Sequence, residues 1–513
     1  MKHERDSMLR DSFFLSIFSV ALQCLGLLFN VFLTRMLGAS SVGVLTLIGS
    51  FYGLAAVFSS GSGFLAASRF VSEEIACQGN PRRVFRNILR FTLPISLSAA
   101  ALIMLLTGRI CSKYAEFASE ATAIRLLALS LPIAALSSAL RGRCYAYHRV
   151  YIPAIADCIE FIMRSGVISF CTVFFIRQNY LSILSSYSLA ALAGQGSVLI
   201  FYLAIRMPKQ EACTDCQHSF WNCLKLTLPM IGNACLVSVL STANDALVPL
   251  TLRQYGNSTQ SALAQFGEFE AIIIPTLFFP SVVQCCMSGL LVPELSRYRA
   301  ANNTEKARQL TERVLKQTIS YSLIIVIYLV QFGGEIGALL GGDDFTGIIL
   351  RKMAPVIPFI YLEIILEGVL RGLGKQNFSS LNYLAEYTVR ISVLLICVPL
   401  FGFYGIVASY LACNLSGNAV RLFFVLRATG LKPNWKTILV RPLFASAFSW
   451  QITNLIAYPF SHLQIPKFVY MGLYGLICTA IYVFLLRLLE QIHTRNNPST
   501  TAVRSSTIIQ PES

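Results

Sequence analysis

Long apolar runs separated by short polar segments follow one another from residue 12 to residue 489. A run of about 20 apolar residues can cross the hydrocarbon core of a bilayer as a helix. The pattern predicts fourteen such helices, at 12–33, 42–66, 88–107, 121–140, 153–176, 183–205, 226–250, 264–290, 318–340, 351–370, 380–399, 403–426, 440–460 and 467–489. Because the connecting segments are short, the sequence predicts an all-α, polytopic membrane protein without a soluble catalytic domain.

Two stretches, 140–164 and 370–390, share one order of features. Each contains Leu-Arg-Gly, then a short basic loop, then a glutamate four residues before an arginine: Glu160 with Arg164, and Glu386 with Arg390. A glutamate and an arginine in this order lie on one helix face and favour an ion pair. Charges this deep in apolar sequence need a partner or a water-filled cavity. An internal pair and a cavity-lining role therefore both stay open.

The matching features indicate a duplication. Six helices in each copy is an even number, so both copies have the same orientation and form a parallel repeat about an axis along the membrane normal. Two further helices follow the second copy, and the polar, Ser- and Thr-rich end of the chain is predicted to be disordered. The expected segments are an N-terminal lobe (1–205), a cytoplasmic linker (206–225), a C-terminal lobe (226–430), helices 13 and 14 (431–490) and a cytoplasmic tail (491–513).

Basic amphipathic segments follow the second and the eighth predicted helices. Asn80 can cap the first of them, with Pro81 at the first helical position, and Asn303 or Thr304 can cap the second. Their arginines and lysines lie on one face. We expect short helices that lie in the inner membrane interface near anionic lipid.

The composition agrees with a membrane protein: 55% of the residues are hydrophobic and only 13% are charged. The formal net charge of +16 raises the possibility of a nucleic-acid partner. With the N-terminus inside, however, the large majority of the lysines and arginines fall in predicted cytoplasmic segments, which is the positive-inside distribution. We therefore expect a multi-pass protein of the cell membrane with both termini in the cytoplasm, membrane lipids as neighbours, and no nucleic acid.

The sequence offers no enzyme signature. It contains no Walker A loop, HExxH, GxSxG, kinase or Rossmann motif, so we expect a transporter with no catalytic residues. The fifteen cysteines lie mostly within predicted helices and provide no extracellular disulfide framework. Cys213 and Cys216, with His218, lack a well-placed fourth zinc ligand. No metal and no cofactor are expected.

Other charged residues lie inside the predicted helices. Asp157 gives the first copy an extra negative charge one turn before Glu160. Asp245, Glu268 and Glu270 lie in the outer parts of the seventh and eighth helices, where they form an acidic patch suited to a cation. These four acids are our candidates for ion coupling, and a plain surface position of the patch remains the alternative. The ladder Glu363, Glu367 and Arg371 is expected to provide packing polarity, and Arg421 is expected to face the interior of the second lobe from the twelfth helix.

Three segments resemble a known family. They are NVFLTRMLGASSVG at 30–43, LVPELS at 291–296 and LRGLGKQ at 370–376. All three are similar to the polysaccharide flippase and stage V sporulation protein B group of the multidrug/oligosaccharidyl-lipid/polysaccharide exporter superfamily. The likeness extends over essentially the whole chain. One departure concerns related lipid II flippases, which carry an Arg-Asp pair in the first helix where this chain has Phe29-Asn30.

The resemblance implies a flippase for polysaccharide, cell-wall or sporulation precursors. Such a protein translocates a lipid-linked, anionic oligosaccharide or peptidoglycan-type precursor to the outer leaflet by alternating access. Our candidates for substrate binding are Arg35, Arg69, Arg164, Arg390, Glu160 and Glu386.

Two alternatives remain. One is a cation-coupled multidrug antiporter of the same fold, driven by a coupling cation or by the membrane potential. The other is a scaffold that recruits cell-wall enzymes without transport. A monomer is expected for the transporter.

Overall fold

The structure, a computed structural model, describes residues 2–77, 79–113, 121–147, 149, 151–174, 183–205, 220–301, 303–461 and 466–496. Within these ranges the chain is helical almost throughout and contains no β-strand. The prediction of an all-α membrane protein is confirmed. Cys213, Cys216 and His218, most of the predicted linker and the end of the predicted tail lie outside the described residues.

The α-helices follow one another with few breaks. In chain order they are α1 (Lys2–Leu37), α2 (Ala39–Ser60), α3 (Gly63–Ala76), α4 (Pro81–Lys113), α5 (Ala121–Ala146), α6 (Tyr151–Phe174), α7 (Ile183–Ala204), α8 (Phe220–Gln254), α9 (Thr259–Glu268), α10 (Ile274–Phe278), α11 (Val282–Ala300), α12 (Thr304–Leu339), α13 (Asp344–Met353), α14 (Ile357–Gly372), α15 (Gln376–Phe401), α16 (Phe403–Thr429), α17 (Arg441–Ser461) and α18 (Lys467–Asn496). Short 3-10 turns connect α10 to α11 and α13 to α14, and π-helical turns precede α10 and α17.

All fourteen predicted apolar runs fall on these helices. Eleven helical segments in the described ranges are long and apolar enough to cross a membrane. The runs at 153–176, 403–426 and 440–460, on α6, α16 and α17, are not among the eleven. The first two contain the intramembrane charges that lower mean hydropathy. The number of fourteen membrane-spanning helices therefore stays a prediction.

The eighth predicted helix is broken rather than straight. It consists of α9, a π-helical turn at Phe269–Ile273, then α10, a 3-10 turn at Phe279–Ser281, and α11. Pro275 and Pro280 remove backbone donors at these breaks. A π-helical turn adds a residue to the helical turn and changes the directions of the side chains around it. Glu270 lies in this turn.

The two predicted helix caps are present. The side-chain oxygen of Asn80 accepts a hydrogen bond from the backbone N–H of Arg83 at 3.1 Å. Asn303 accepts in the same way from Lys306 at 3.0 Å, so Asn303 is the cap of α12. The expectation of short interfacial helices is wrong. α4 and α12 each continue without a break from the basic turns into the apolar runs that follow.

The glycines of the two Leu-Arg-Gly motifs allow close helix packing. A side chain on Gly142 of α5 would collide with the carbonyl oxygen of Phe64 on α3. A Cβ on Gly372 of α14 would lie 2.8 Å from the Cβ of Leu295 on α11 and 3.1 Å from a second residue's carbonyl oxygen. The motif thus has a packing role in both places where it occurs.

The chain forms two compact units. Unit 1 contains Met1–Val282, Leu340–Gly342 and Asn377–Cys413, and unit 2 contains Val283–Leu339, Asp343–Gln376 and Asn414–Ser513. Within unit 1, α2 packs on α9 at unusually short range, because a Cβ on Gly43 or Gly267 would collide with a backbone carbonyl of the other helix. Within unit 2, α12, α17 and α18 share a core around Phe332 and Tyr474. The predicted lobes, linker and tail stay predictions.

Candidate functional site

A cavity of 470 Å³ lies inside unit 1 between α2, α3, α5, α6 and α7. We call it the chamber. Its volume is within the range of about 300–1,000 Å³ that is usual for small-molecule sites. The residues that line it include the charged, amide and tyrosine side chains of Arg141, Tyr145, Asp157, Glu160, Gln195 and Tyr202.

Arg141 and Asp157 form an ion pair in the chamber. The Nη2 atom of Arg141, near the end of α5, lies 2.6 Å from Oδ2 of Asp157, near the start of α6. The two side chains keep 39% and 33% of their surface exposed. An ion pair with this exposure contributes little to stability. It can therefore exchange its partners with a ligand at low cost.

Glu160 and Arg164 do not pair with each other, contrary to the prediction for their spacing. Gln195 donates from Nε2 to Glu160 at 2.7 Å. Arg164 donates from Nη2 to the hydroxyl of Tyr187 at 2.6 Å, and its guanidinium also lies 4.9 Å from the Tyr187 ring centre. Both partners lie on α7, which packs beside α6; a Cβ on Gly194 of α7 would be in ordinary contact, at 3.5 Å, with side-chain carbons of Glu160 and Arg164.

α2 connects the chamber to a second group of charges. Its Tyr52 packs edge-on against Tyr187, with 6.1 Å between ring centres, and its hydroxyl accepts a hydrogen bond from Ser130 at 3.0 Å. Ser50, two residues earlier, donates to Asp245 of α8 at 2.7 Å.

The second group consists of Asp245, Glu270, Arg390 and Tyr410, all in unit 1. Glu270, in the π-helical turn, interacts electrostatically with both Asp245 and Arg390. The guanidinium of Arg390 lies 3.6 Å from the ring centre of Tyr410, and its Nε has no hydrogen-bond partner among the described residues. The predicted pair of Arg390 with Glu386 is not formed, because Arg390 lies on Tyr410 and Glu386 accepts from Asn382 at 3.3 Å.

The remaining predicted site residues lie elsewhere. Glu268 is buried at the end of α9. Arg35 is exposed at the end of α1 and lies over the backbone of Gly341. Arg69 is exposed and pairs with Glu73 at 2.9 Å. Neither arginine is among the described residues that line the chamber.

A third cluster of charges is closed off within unit 2. Arg421 of α16 has no exposed surface and lies 3.4 Å from Glu363 and 3.8 Å from Glu367 of α14. Glu367 also pairs with Arg371 at 3.0 Å. The charged ladder of α14 therefore packs around one arginine from α16, a partner that the sequence interpretation had not assigned to it.

The sequence alone did not identify Arg141, Gln195 and Tyr202 as chamber residues, or Tyr187 as the partner of Arg164. Arg141 had a usable signal, since it is the arginine of the first Leu-Arg-Gly motif and lies deep in apolar sequence. The two tyrosines and Gln195 are neutral. Nothing distinguishes such residues, before the helices are packed, from ordinary polar positions in membrane helices.

The comparisons with known proteins agree with this fold. The MatE family matches residues 229–396. Stage V sporulation protein B of Bacillus subtilis (strain 168) is 22% identical over 416 residues, which are 78% of this chain and 80% of that protein.

Two solved structures share the fold. Lipid II flippase MurJ, in an inward closed conformation, has a TM-score of 0.67 at 13% identity and covers 94% of this chain and 99% of its own. An inward-facing multidrug resistance MATE family transporter of the MOP superfamily has a TM-score of 0.62 at 16% identity. The match covers 80% of this chain and 94% of that transporter. The resemblance predicted from the motifs is therefore confirmed: the chain matches the MatE family over 229–396, is similar to stage V sporulation protein B over most of its length, and is a multi-pass membrane protein that shares the fold of these two transporters.

Proposed function

We propose that this protein is a flippase that carries a lipid-linked oligosaccharide or peptidoglycan-type precursor from the inner to the outer leaflet by alternating access. A polar head group must cross about 30 Å of hydrocarbon. Leaving its polar groups without partners on the way carries a high free-energy cost. A polar chamber inside the helical bundle lowers that cost while the polyprenyl tail stays in lipid.

The chamber is the observation that carries the proposal. It combines a half-exposed ion pair, Arg141 with Asp157, and a carboxylate bound to an amide, Glu160 with Gln195, at membrane depth. Under the predicted topology, Arg141 lies toward the cytoplasmic end of α5 and Asp157 toward the cytoplasmic end of α6. The chamber then faces the leaflet from which such a precursor comes.

Two comparisons support a flippase, while others are with multidrug exporters. The sequence similarity that covers most of the chain is to stage V sporulation protein B. The flippase MurJ covers a larger share of this chain than the multidrug transporter does.

Lipid II itself is not assigned as the substrate. Asn30, at the position of the flippase Arg-Asp pair, donates its side-chain amide to the carbonyl of Ala271 at 3.2 Å. That carbonyl belongs to the π-helical turn. Asn30 therefore serves helix packing where the related flippases carry charge.

Reconstitution in vesicles tests the proposal. A fluorescent polyprenyl-pyrophosphate disaccharide is incorporated into vesicles with and without the protein, and a membrane-impermeant quencher reports how fast the head group changes leaflet. We expect the protein to accelerate translocation. A rate equal to that of protein-free vesicles, for this lipid and for a set with other sugars, would overturn the proposal.

The second group of charges favours one alternative, a cation-coupled multidrug antiporter. Asp245 and Glu270 place two carboxylates near one arginine beside a π-helical turn, a combination able to exchange a proton or sodium ion. Ethidium efflux in a pump-deficient host tests it. Efflux that depends on this chain, and that Glu270→Gln abolishes, would support the antiporter.

A further inference from the structure

The charges that line the chamber suit one part of the proposed head group better than another. Its described lining contains one guanidinium, Arg141, and two carboxylates, Asp157 and Glu160. The guanidinium already pairs with Asp157, and Glu160 has only a neutral hydrogen-bond partner in Gln195. The neighbouring Arg164 is directed to Tyr187. The described lining itself therefore contains one more carboxylate than guanidinium, and Arg164, which lies outside the lining, offsets part of the charge of Glu160.

A pyrophosphate does not fit this arrangement. Phosphate groups in proteins are held by arginine and lysine donors, often in bidentate pairs, or by clustered backbone N–H groups. The one arginine of the chamber is already engaged by a carboxylate. A second carboxylate lies one helical turn away on the same face of α6 and repels an anion.

A sugar does fit. Sugar hydroxyls both donate and accept hydrogen bonds, and carboxylates, amides and hydroxyls are their natural partners. Besides its carboxylates and the amide of Gln195, the chamber is lined by the hydroxyls of Ser60, Ser137, Ser138, Tyr145 and Tyr202. The Tyr145 ring packs edge-on against Phe64, with 5.3 Å between ring centres, which gives the wall an apolar surface for the carbon face of a sugar.

One hydroxyl in this wall lacks a hydrogen-bond partner. Ser137 is only 4% exposed, and its Oγ has no hydrogen-bond partner among the described residues. A buried hydroxyl without a partner is destabilising, and such groups are few in folded proteins. A ligand hydroxyl in the chamber would satisfy it.

We infer that the chamber binds the uncharged sugar portion of the head group and that the pyrophosphate is held outside it. This inference rests on the proposed flippase function and assigns the ligand chemistry of that same site. The ion pair Arg141–Asp157 has no net charge and offers both hydrogen-bond donors and acceptors. It can therefore orient the sugar through hydrogen bonds to the sugar hydroxyls.

The test uses the full chain in detergent and two soluble probes, a lipid-free disaccharide without phosphate and inorganic pyrophosphate. The variants are Ser137→Ala and Tyr202→Phe, which each delete one chamber hydroxyl. The control is Thr92→Val, because Thr92 is also buried and its hydroxyl also lacks a partner, but it is not among the described chamber residues. The three variants should fold alike, and their thermal unfolding is measured alongside.

We expect each chamber variant to weaken disaccharide binding about fivefold, the effect of one lost hydrogen bond. Thr92→Val should leave it unchanged, and inorganic pyrophosphate should not displace the disaccharide at equal concentration. Displacement by pyrophosphate alone, or equal disaccharide affinity in wild type and both chamber variants, would overturn the sugar assignment. The sugar assignment would also be overturned if the protein bound ethidium, an organic cation, and if the same two variants reduced that binding.

Translocation separates this inference from the function on which it rests. Wild-type translocation that is equally fast in Ser137→Ala and Tyr202→Phe would overturn the sugar site and leave the flippase in place. Absence of wild-type translocation for every lipid-linked sugar would overturn the function itself.

Discussion

Two arginines in this protein each face carboxylates inside a helical bundle, and their surroundings are opposite. Arg141 pairs with Asp157 in the chamber, where the two side chains are 39% and 33% exposed. Arg421 has no exposed surface and lies between Glu363 and Glu367. An accessible pair is weak and exchangeable, whereas a sealed one is costly to break. The comparison supports the proposal that the chamber serves binding and that the Arg421 cluster serves structure.

The largest expected effect is at Arg421. Arg421→Gln removes the fully buried cation that Glu363 pairs with, and breaking a buried pair in this way costs about 3–5 kcal/mol. Unfolding in mixed SDS micelles measures the loss. The double variant Arg421→Gln/Glu363→Gln should recover most of it, since Glu367 keeps its pair with Arg371. A single variant as stable as wild type would remove the distinction between the two regions.

Tyr187→Phe should have an intermediate effect. The change removes the hydroxyl that accepts from Arg164 at 2.6 Å and keeps the ring under the guanidinium. A hydrogen bond to a charged group contributes about 1.5–3 kcal/mol. The same micelle unfolding should show a loss in this range. A neutral result would mean that Arg164 finds another acceptor.

The helix caps should respond alike in the two units. Asn80→Ala at the start of α4 and Asn303→Ala at the start of α12 each remove one capping hydrogen bond, at 3.1 and 3.0 Å. Loss of such a cap costs about 1 kcal/mol. Equal losses would show that the difference between the regions lies in their charges. Markedly unequal losses would show that the two units differ in general stability.

The smallest effect on stability is expected at Arg141. Arg141→Gln removes an accessible ion pair, so the change in unfolding free energy should stay within about 1 kcal/mol. Because the same substitution is made at an accessible arginine here and at a buried one in Arg421→Gln, the two losses can be compared directly. A loss of several kcal/mol would place Arg141 with the structural arginines.

The helical elements were predictable because apolar runs and polar breaks mark them directly. Asn80 and Asn303 were likewise predicted from local sequence, since a cap needs only a side chain and the backbone three residues on. The partners of Glu160 and Arg164 were not predictable. Helix spacing favoured a pair within α6, but Gln195 and Tyr187 of the neighbouring α7 bind them instead.

The second group shows the same limit at the level of the backbone. Spacing on a regular helix cannot give the direction of Glu270, because a π-helical turn begins one residue before it. Arg390 was expected to bind Glu386, yet it lies on Tyr410 of the next helix. Contacts within one helix follow from sequence, whereas those between helices depend on packing that small residues and backbone irregularities decide.

The most direct test of the chamber as the transport site compares two matched acid-to-amide changes. Asp157→Asn alters the chamber pair, and Glu335→Gln alters a pair in unit 2 of similar exposure, 3.5 Å from Arg351. Initial rates of head-group translocation are measured in proteoliposomes with equal protein content. We predict a loss of about tenfold or more for Asp157→Asn and a change within about twofold for Glu335→Gln. Equal rates in the two variants would contradict the account.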